Sequence, residues 1–199
     1  VLEDQNEIIN LIKERLPNRP VICFGHSLGS IINLNFALKY PNQVNALACW
    51  NSGIETGLLP KASRIILAIE GFFRNQNLPS LIAWKLSFEA WNSKFKPNRT
   101  KFDWLSRDEN EVNLYVGDPH CGFEVSISMW RDVLDGVFNA GNKKILQKLP
   151  KELPVHIVGG AEDPCTQNGS DMKKLATKLQ NSGLSDVTCT ILEGTRHES

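Results

Sequence analysis

The stretch Val21-Ile22-Cys23-Phe24-Gly25-His26-Ser27-Leu28-Gly29 constrains this chain more than any other. Val21 to Phe24 form a short apolar run bounded by Pro20 and Gly25, which suits a strand covered on both faces. From Ser27 to Tyr40 the apolar residues Leu28, Ile31, Ile32, Leu34, Phe36, Ala37 and Leu38 return at helical spacing until Pro41 ends the pattern. Between strand and helix, Gly25-His26-Ser27-Leu28-Gly29 fits G-x-S-x-G. That pattern serves a turn so tight that the serine backbone is strained and its hydroxyl projects above the sheet, with small residues two before and two after it to avoid clashes. A bare match arises by chance in roughly one chain of this length in fifteen. Its place directly after an apolar strand and at the opening of a helix is the context the motif demands. The bland alternative is a glycine-bounded helix start with Ser27 as its cap.

Alternation continues on both sides of this turn. Leu2, Ile8, Ile9, Leu11, Ile12 and Leu16 share one broad helical face, and Val44 to Trp50 read as a second strand ended by Asn51-Ser52-Gly53. Val155 to Val158 before Gly159-Gly160 make a third, Ser170 to Gln180 an amphipathic helix, and Val187 to Leu192 a fourth strand before Glu193-Gly194. Strands alternating with helices signify a parallel sheet with crossover helices. Residues 57–149 break the rhythm: they are helical around 61–73 and 78–95, hold Trp84, Trp91, Trp104 and Trp130, and carry no strand of the buried type. So long a connection reads as a cap or lid. The organisation expected is therefore 1–56 core, 57–149 helical insertion and 150–199 core. One face of the insertion must pack on the sheet, so at least half of its large apolar side chains are expected in an ordinary core.

Composition narrows the function classes. Lys and Arg number 22 and so do Asp and Glu, with no block of like charge, which argues against a nucleic-acid binder. No apolar run approaches the length needed to cross a bilayer. Five scattered cysteines, with no C-x-x-C pair, point to a reducing, cytoplasmic setting without a disulfide framework or a zinc site. Cys23, Cys49 and Cys189 lie inside strand-like runs, where cysteine acts as a small buried hydrophobe.

A serine hydroxyl is a weak nucleophile at neutral pH, so Ser27 needs a base, and the base needs an acid to fix its tautomer. His26 lies inside the turn with its side chain directed away from the serine's, His156 reads as packed in mid-strand, and His120 lies in the insertion. His197 follows the last strand in a loop at its carboxyl end, the side of a parallel sheet where chemistry gathers. Asp163, in Gly160-Ala161-Glu162-Asp163-Pro164, follows the third strand in the same way. Glu162 is the next candidate acid. The bland readings are an Asp-Pro turn for Asp163 and a solvated loop for His197. The arrangement calls for no metal and no cofactor.

At these residues a resemblance emerges. GHSLGS with IINLNFALKYP, then VHIVGGAEDP, then ILEGTRHES, resemble the monoglyceride lipase, lysophospholipase and serine aminopeptidase branch of the α/β-hydrolases, and SRDENEVNLYVGDPHCGF is similar to the segment closing the cap in bacterial members. The resemblance implies an α/β-hydrolase fold: a mainly parallel sheet with helices on both faces and a helical cap. It implies Ser27 as nucleophile, His197 as base and then acid, Asp163 as orienting carboxylate, and the Leu28 backbone N–H as one oxyanion donor, with Gly25 and Gly29 as the glycines of the elbow. The second oxyanion donor of the family comes from an earlier strand. Only 26 residues precede Ser27, and they hold one helix and one strand. The chain thus reads as an internal piece of a longer hydrolase, its N-terminal strands missing, and these 199 residues alone are expected to be poorly soluble and nearly inactive.

The expected reaction is cleavage of a monoacylglycerol or lysophospholipid-like ester through an acyl-enzyme. No Lys/Arg cluster marks a phosphate pocket, so a lysophospholipid is not favoured over a neutral monoester. Surplus apolar residues of the insertion suit an acyl pocket or peripheral contact with a membrane. An aminopeptidase of the same fold would need an acid in the cap for the substrate amine, with Glu89, Asp103 and Asp118 as candidates. A non-catalytic binding module on the same fold is the third reading.

Overall fold

A computed structural model describes residues 1–199. Strands β1 (Ile22–His26), β2 (Ala46–Trp50), β3 (Val155–Gly160) and β4 (Val187–Leu192) form one sheet in the order β1-β2-β3-β4, every pair parallel. Helix α1 (Leu2–Arg15) precedes β1, α2 (Leu28–Lys39) joins β1 to β2, and α9 (Ser170–Asn181) joins β3 to β4. Between β2 and β3 run α3 (Leu58–Phe73), α4 (Leu81–Trp84), a π-helical turn (Lys85–Glu89), α5 (Ala90–Asn92), a 3₁₀ turn (Ser93–Phe95), α6 (Glu109–Gly117), α7 (Ile127–Ala140) and α8 (Lys143–Leu146).

Register builds the core. Cys23 aligns with Leu47 and Val155, and Gly25 with Cys49 and Ile157, so their side chains share one buried face. Against it pack Ile9 of α1, Leu34 and Ala37 of α2, Val137 and Ala140 of α7, and Met172, Leu175 and Leu179 of α9. On α9 these positions recur at i, i+3 and i+7, the stripe of a helix with one apolar face.

The opposite face differs from expectation. Helices gather on one side of the sheet, whereas the resemblance implied both, and β1 is covered on one face only: Ile22 is 65% and Phe24 60% exposed. Four strands in sequential order, joined by right-handed crossovers, put every crossover helix on the same side. For the same reason His156 is exposed rather than packed, its Nδ1 3.0 Å from the Thr188 hydroxyl. Cys189 is in register with the buried Ile157 but lies on the edge strand, and is exposed where burial was expected. On α1 only Ile9 is buried; Ile8, Leu11, Ile12 and Leu16 of its apolar face stay open.

The insertion also departs from expectation. Of its large apolar residues between 58 and 91, Leu67 is the one in the buried class, while Leu58, Leu59, Ile65, Ile69, Phe72 and Phe73 are exposed. Its centre is aromatic: Phe88 lies 4.8 Å from Trp84, 5.4 Å from Trp91, 5.6 Å from Trp104 and 5.7 Å from Trp130, ring centre to ring centre. Helix α7 packs on α2, where the Asn35 amide donates to the Gly136 carbonyl at 3.0 Å.

Candidate active site

The turn after β1 is built as its glycines require, with one exception. Ser27 has φ 52° and ψ −120°, a left-handed backbone that non-glycine residues rarely adopt. Its N–H donates to the Trp50 carbonyl at 2.8 Å. The Ser30 hydroxyl donates to the carbonyls of Gly25 at 2.6 Å and Trp50 at 3.0 Å, tying helix start, strand end and turn together. A methyl group at Gly25 would lie 2.4 Å from the backbone of Gly29, so position 25 admits glycine alone. At Gly29 a methyl would meet nothing within 4 Å; packing inside this chain does not explain that glycine. Ser27 makes no capping hydrogen bond, so the reading as a simple helix cap fails. Its hydroxyl is engaged elsewhere, and the Leu28 N–H belongs to the first turn of α2, which has no intrahelical acceptor.

His197 and Asp163 converge on that hydroxyl. Ser27 Oγ lies 3.0 Å from His197 Nε2, and His197 Nδ1 lies 3.1 Å from both carboxylate oxygens of Asp163. The ionised carboxylate can only accept, so the imidazole proton sits on Nδ1 and Nε2 is free to accept from Ser27. His197 is 3% exposed and Asp163 fully buried. Burial pushes the Asp163 pKa up, but the hydrogen bonds from His197, from the Thr166 hydroxyl (2.9 Å) and from the Cys165 N–H (2.9 Å) outweigh it and hold the carboxyl below its ordinary value. The Asn51 amide adds a fourth donor, 3.2 Å from Oδ2.

Several contributors escaped the sequence reading. Asn51 looked like the end of β2, yet it is buried with φ 49°, and its amide also donates to the Arg196 carbonyl at 3.3 Å. His26, set aside on the sequence, donates from Nε2 to the His197 carbonyl at 2.8 Å, and its ring meets the His197 ring edge to face at 4.9 Å. Burial lowers its pKa, against the opposing pull of this hydrogen bond. Gly160 lets the loop come close, since a methyl there would stand 2.1 Å from the Arg196 carbonyl oxygen. His120 lies in an exposed turn of the insertion, where its N–H is bonded to Asp118, and Glu162 is exposed.

The Cys165 thiol, Asp163 and His197 place their donor atoms within 4.8 Å of one another, the one cluster of metal-ligating type. Burial pushes the Cys165 thiol well above its ordinary 9.0, and the Nδ1 proton of His197 is turned to Asp163, so these groups suit proton handling better than metal ligation. Chemically, a hydroxyl bonded to an imidazole that is anchored on a buried carboxylate can give up its proton as it attacks an electrophile.

Residues 1–199 match the family model described as serine aminopeptidase, S33. The chain belongs to that family of α/β-hydrolases. It is 22% identical to a monoglyceride lipase of Rattus norvegicus over 200 residues, which cover 98% of this chain and 57% of the relative. Among solved structures, a thermostable carboxyl esterase from Bacillus coagulans superimposes with a TM-score of 0.86 at 21% identity, covering 99% of this chain and 64% of that one. A monoacylglycerol lipase from Paleococcus ferrophilus gives 0.70 at 22% identity, covering 99% and 67%. The parallel sheet and its flanking helices are thus part of the α/β-hydrolase fold, and the chain spans a little over half the length of the curated relative.

Proposed function

We propose that this chain carries the reacting groups of a serine hydrolase that cleaves carboxylic esters of monoacylglycerol or lysophospholipid type through an acyl-enzyme. The observation that carries the reading is the continuous line Ser27 Oγ, His197 Nε2, His197 Nδ1 and Asp163, with each contact at 3.0 to 3.1 Å. Lipase and esterase relatives across the whole chain support it.

In this mechanism Ser27 Oγ attacks the ester carbonyl while its proton passes to His197 Nε2. Asp163 holds the imidazole in the required tautomer and stabilises the imidazolium. The Leu28 N–H donates to the carbonyl oxygen as it becomes an anion. His197 then protonates the leaving alcohol, and water, deprotonated by the same Nε2, releases the acid and restores Ser27. Every proton moved in these steps is carried by protein or water.

The substrate reading favours a neutral ester. An aminopeptidase needs a free acid for the substrate amine; of the three candidates, Asp103 has both carboxylate oxygens engaged by Arg99 and Thr100, while Asp118 accepts the His120 N–H on Oδ1 alone. Glu89 is exposed on the insertion. The apolar outer surface of α3 suits contact with a lipid aggregate, and five free cysteines suit a reducing compartment such as the cytoplasm. No helix is long and apolar enough to cross a membrane.

The test is labelling of the full-length protein with a fluorophosphonate probe. Wild type is expected to take one label and Ser27→Ala none, with hydrolysis of a monoacylglycerol lost in parallel. Label that survives Ser27→Ala, or faster cleavage of a peptide amide than of the ester, overturns the assignment.

A further inference from the structure

The loop that carries His197 is held from two sides, and one of them is the insertion. Beyond Leu192, the end of β4, the chain leaves the sheet, and a segment without ladder bonds holds a side chain in place only if other contacts restrict it. The core contributes His26 and Asn51, described above, the Glu162 N–H, which donates to the Thr195 carbonyl at 2.9 Å, and a bond from the Ser199 hydroxyl to Asn51 Oδ1 at 2.6 Å. The insertion contributes as many hydrogen bonds, and two aromatic contacts besides. Arg196 Nη1 donates to the carbonyls of Asp103 at 2.5 Å and Ser106 at 2.9 Å, and its guanidinium lies 4.1 Å from the centre of the Phe95 ring. The Glu198 N–H donates to the Leu105 carbonyl at 2.8 Å, and Arg107 Nη1 donates to the Gly194 carbonyl at 2.5 Å. Trp104, 4% exposed, lays its ring 4.8 Å from the imidazole of His197.

These contacts bracket His197 on both sides in sequence, at 194, 196 and 198. Asp103 is itself immobilised, since its carboxylate accepts the N–H groups of Arg99 and Thr100, so the carbonyl that receives Arg196 is fixed. Gly194 at φ 66° admits the Arg107 side chain, which would stand 2.3 Å from a methyl group there. The serine and aspartate lie close to strand ends, whereas the histidine sits on a loop braced by the core on one side and by the insertion on the other.

We propose that Arg196 is a positioning residue that fastens the insertion to the His197 loop, so that the imidazole stands over Ser27 only while residues 103–106 are docked. The inference rests on the hydrolase reading and adds to it a coupling: displacement of the insertion withdraws the base. Nη1 alone reaches both carbonyls, as an ammonium could, but the guanidinium plane over the Phe95 ring has no counterpart in lysine, so an ammonium group replaces it only in part.

The experiment is Arg196→Ala and Arg196→Lys in the full-length protein, assayed on a short-chain p-nitrophenyl ester. Arg196→Ala is expected to lower kcat about ten- to a hundredfold with KM changed less than about threefold, the signature of a misplaced reacting group. Arg196→Lys should fall between, and millimolar guanidinium should restore part of the loss in the alanine variant. The far-downfield proton resonance of the His197 Nδ1–H should broaden in both variants while the thermal midpoint of Arg196→Lys stays near wild type. Unchanged kcat with a sharp resonance in Arg196→Lys overturns the proposal. So does a loss in Arg196→Ala that only tracks its folded fraction and is not rescued. The resonance needs no turnover, so it judges Arg196 independently of the Ser27→Ala labelling that judges the hydrolase reading.

Discussion

At Asp163 two opposing effects meet: removal from water favours the neutral acid, and four donors favour the anion. The donors win, and the carboxyl lies below its ordinary value of 3.8. A carboxylate whose folded pKa is depressed adds stability that is present above the unfolded value and disappears as pH falls through the folded one. Asp163→Asn should therefore unfold at lower denaturant concentration than wild type at pH 7. The gap should close as pH drops below 3.8, measured by chemical denaturation. A gap that persists undiminished to pH 3 would mean the donors do not hold the charge. The same variant should lose about four orders of magnitude in kcat, since an amide fixes the wrong imidazole tautomer. Ser27, Asp163 and His197 could be read from the sequence because each follows an apolar strand directly, and parallel strands place their ends on one side. Asn51, Ser30, Thr166 and His26 could not. Their roles depend on a left-handed φ at 51, a helix turn laid across two strand ends, and a side chain folded back over the elbow, none of which leaves a periodic trace.

Among the elements, α3 misleads most by its sequence pattern, more than the half-open α1. Its apolar residues recur at helical spacing, which on a sequence alone signals a face turned to a core, yet Leu58, Phe72 and Phe73 are 86%, 82% and 78% exposed. Its inner contacts are to α7, and α7 in turn packs on α2 and sends Val137 and Ala140 into the main core. Within the span 57–149, the packing boundary thus falls before α7, which joins the core of the sheet. Periodicity finds helices but cannot say which layer they join, so this boundary was not legible beforehand. The two adjacent phenylalanines lie edge to face at 5.1 Å and stand exposed at the end of α3. Full burial of each in a lipid surface would contribute on the order of 1.5–3 kcal/mol. Phe72→Ser with Phe73→Ser should weaken cosedimentation with phosphatidylcholine vesicles more than about tenfold, while hydrolysis of a soluble short ester is unchanged. Equal cosedimentation of the double variant would remove α3 from any membrane role.

For the molecule as a whole, area is the sharpest measure. A compact protein of 22.3 kDa should expose about 9,400 Å². This fold exposes 11152 Å². The surplus is not spread evenly. It lies on the uncovered sheet face at Ile22 and Phe24, on the open stripe of α1 at Ile8, Leu11, Ile12 and Leu16, and on α3. On the open sheet face Phe24 and Trp50 meet edge to face at 5.1 Å, with Ile22 two residues before Phe24 on the same side of the strand, so apolar side chains adjoin one another there. Parallel sheets are stable when both faces are covered, and β1 also leaves the hydrogen-bonding groups of its outer edge unpaired. Residues 1–199 on their own should therefore bind a hydrophobic dye and associate as concentration rises. Phe24→Thr together with Ile22→Thr should reduce both effects, because the patch shrinks while the buried face of β1, Cys23 and Gly25, is untouched. Light scattering and dye fluorescence between about 1 and 100 μM decide the matter. A monodisperse, dye-silent chain would show that one covered face is enough to hold this sheet in water.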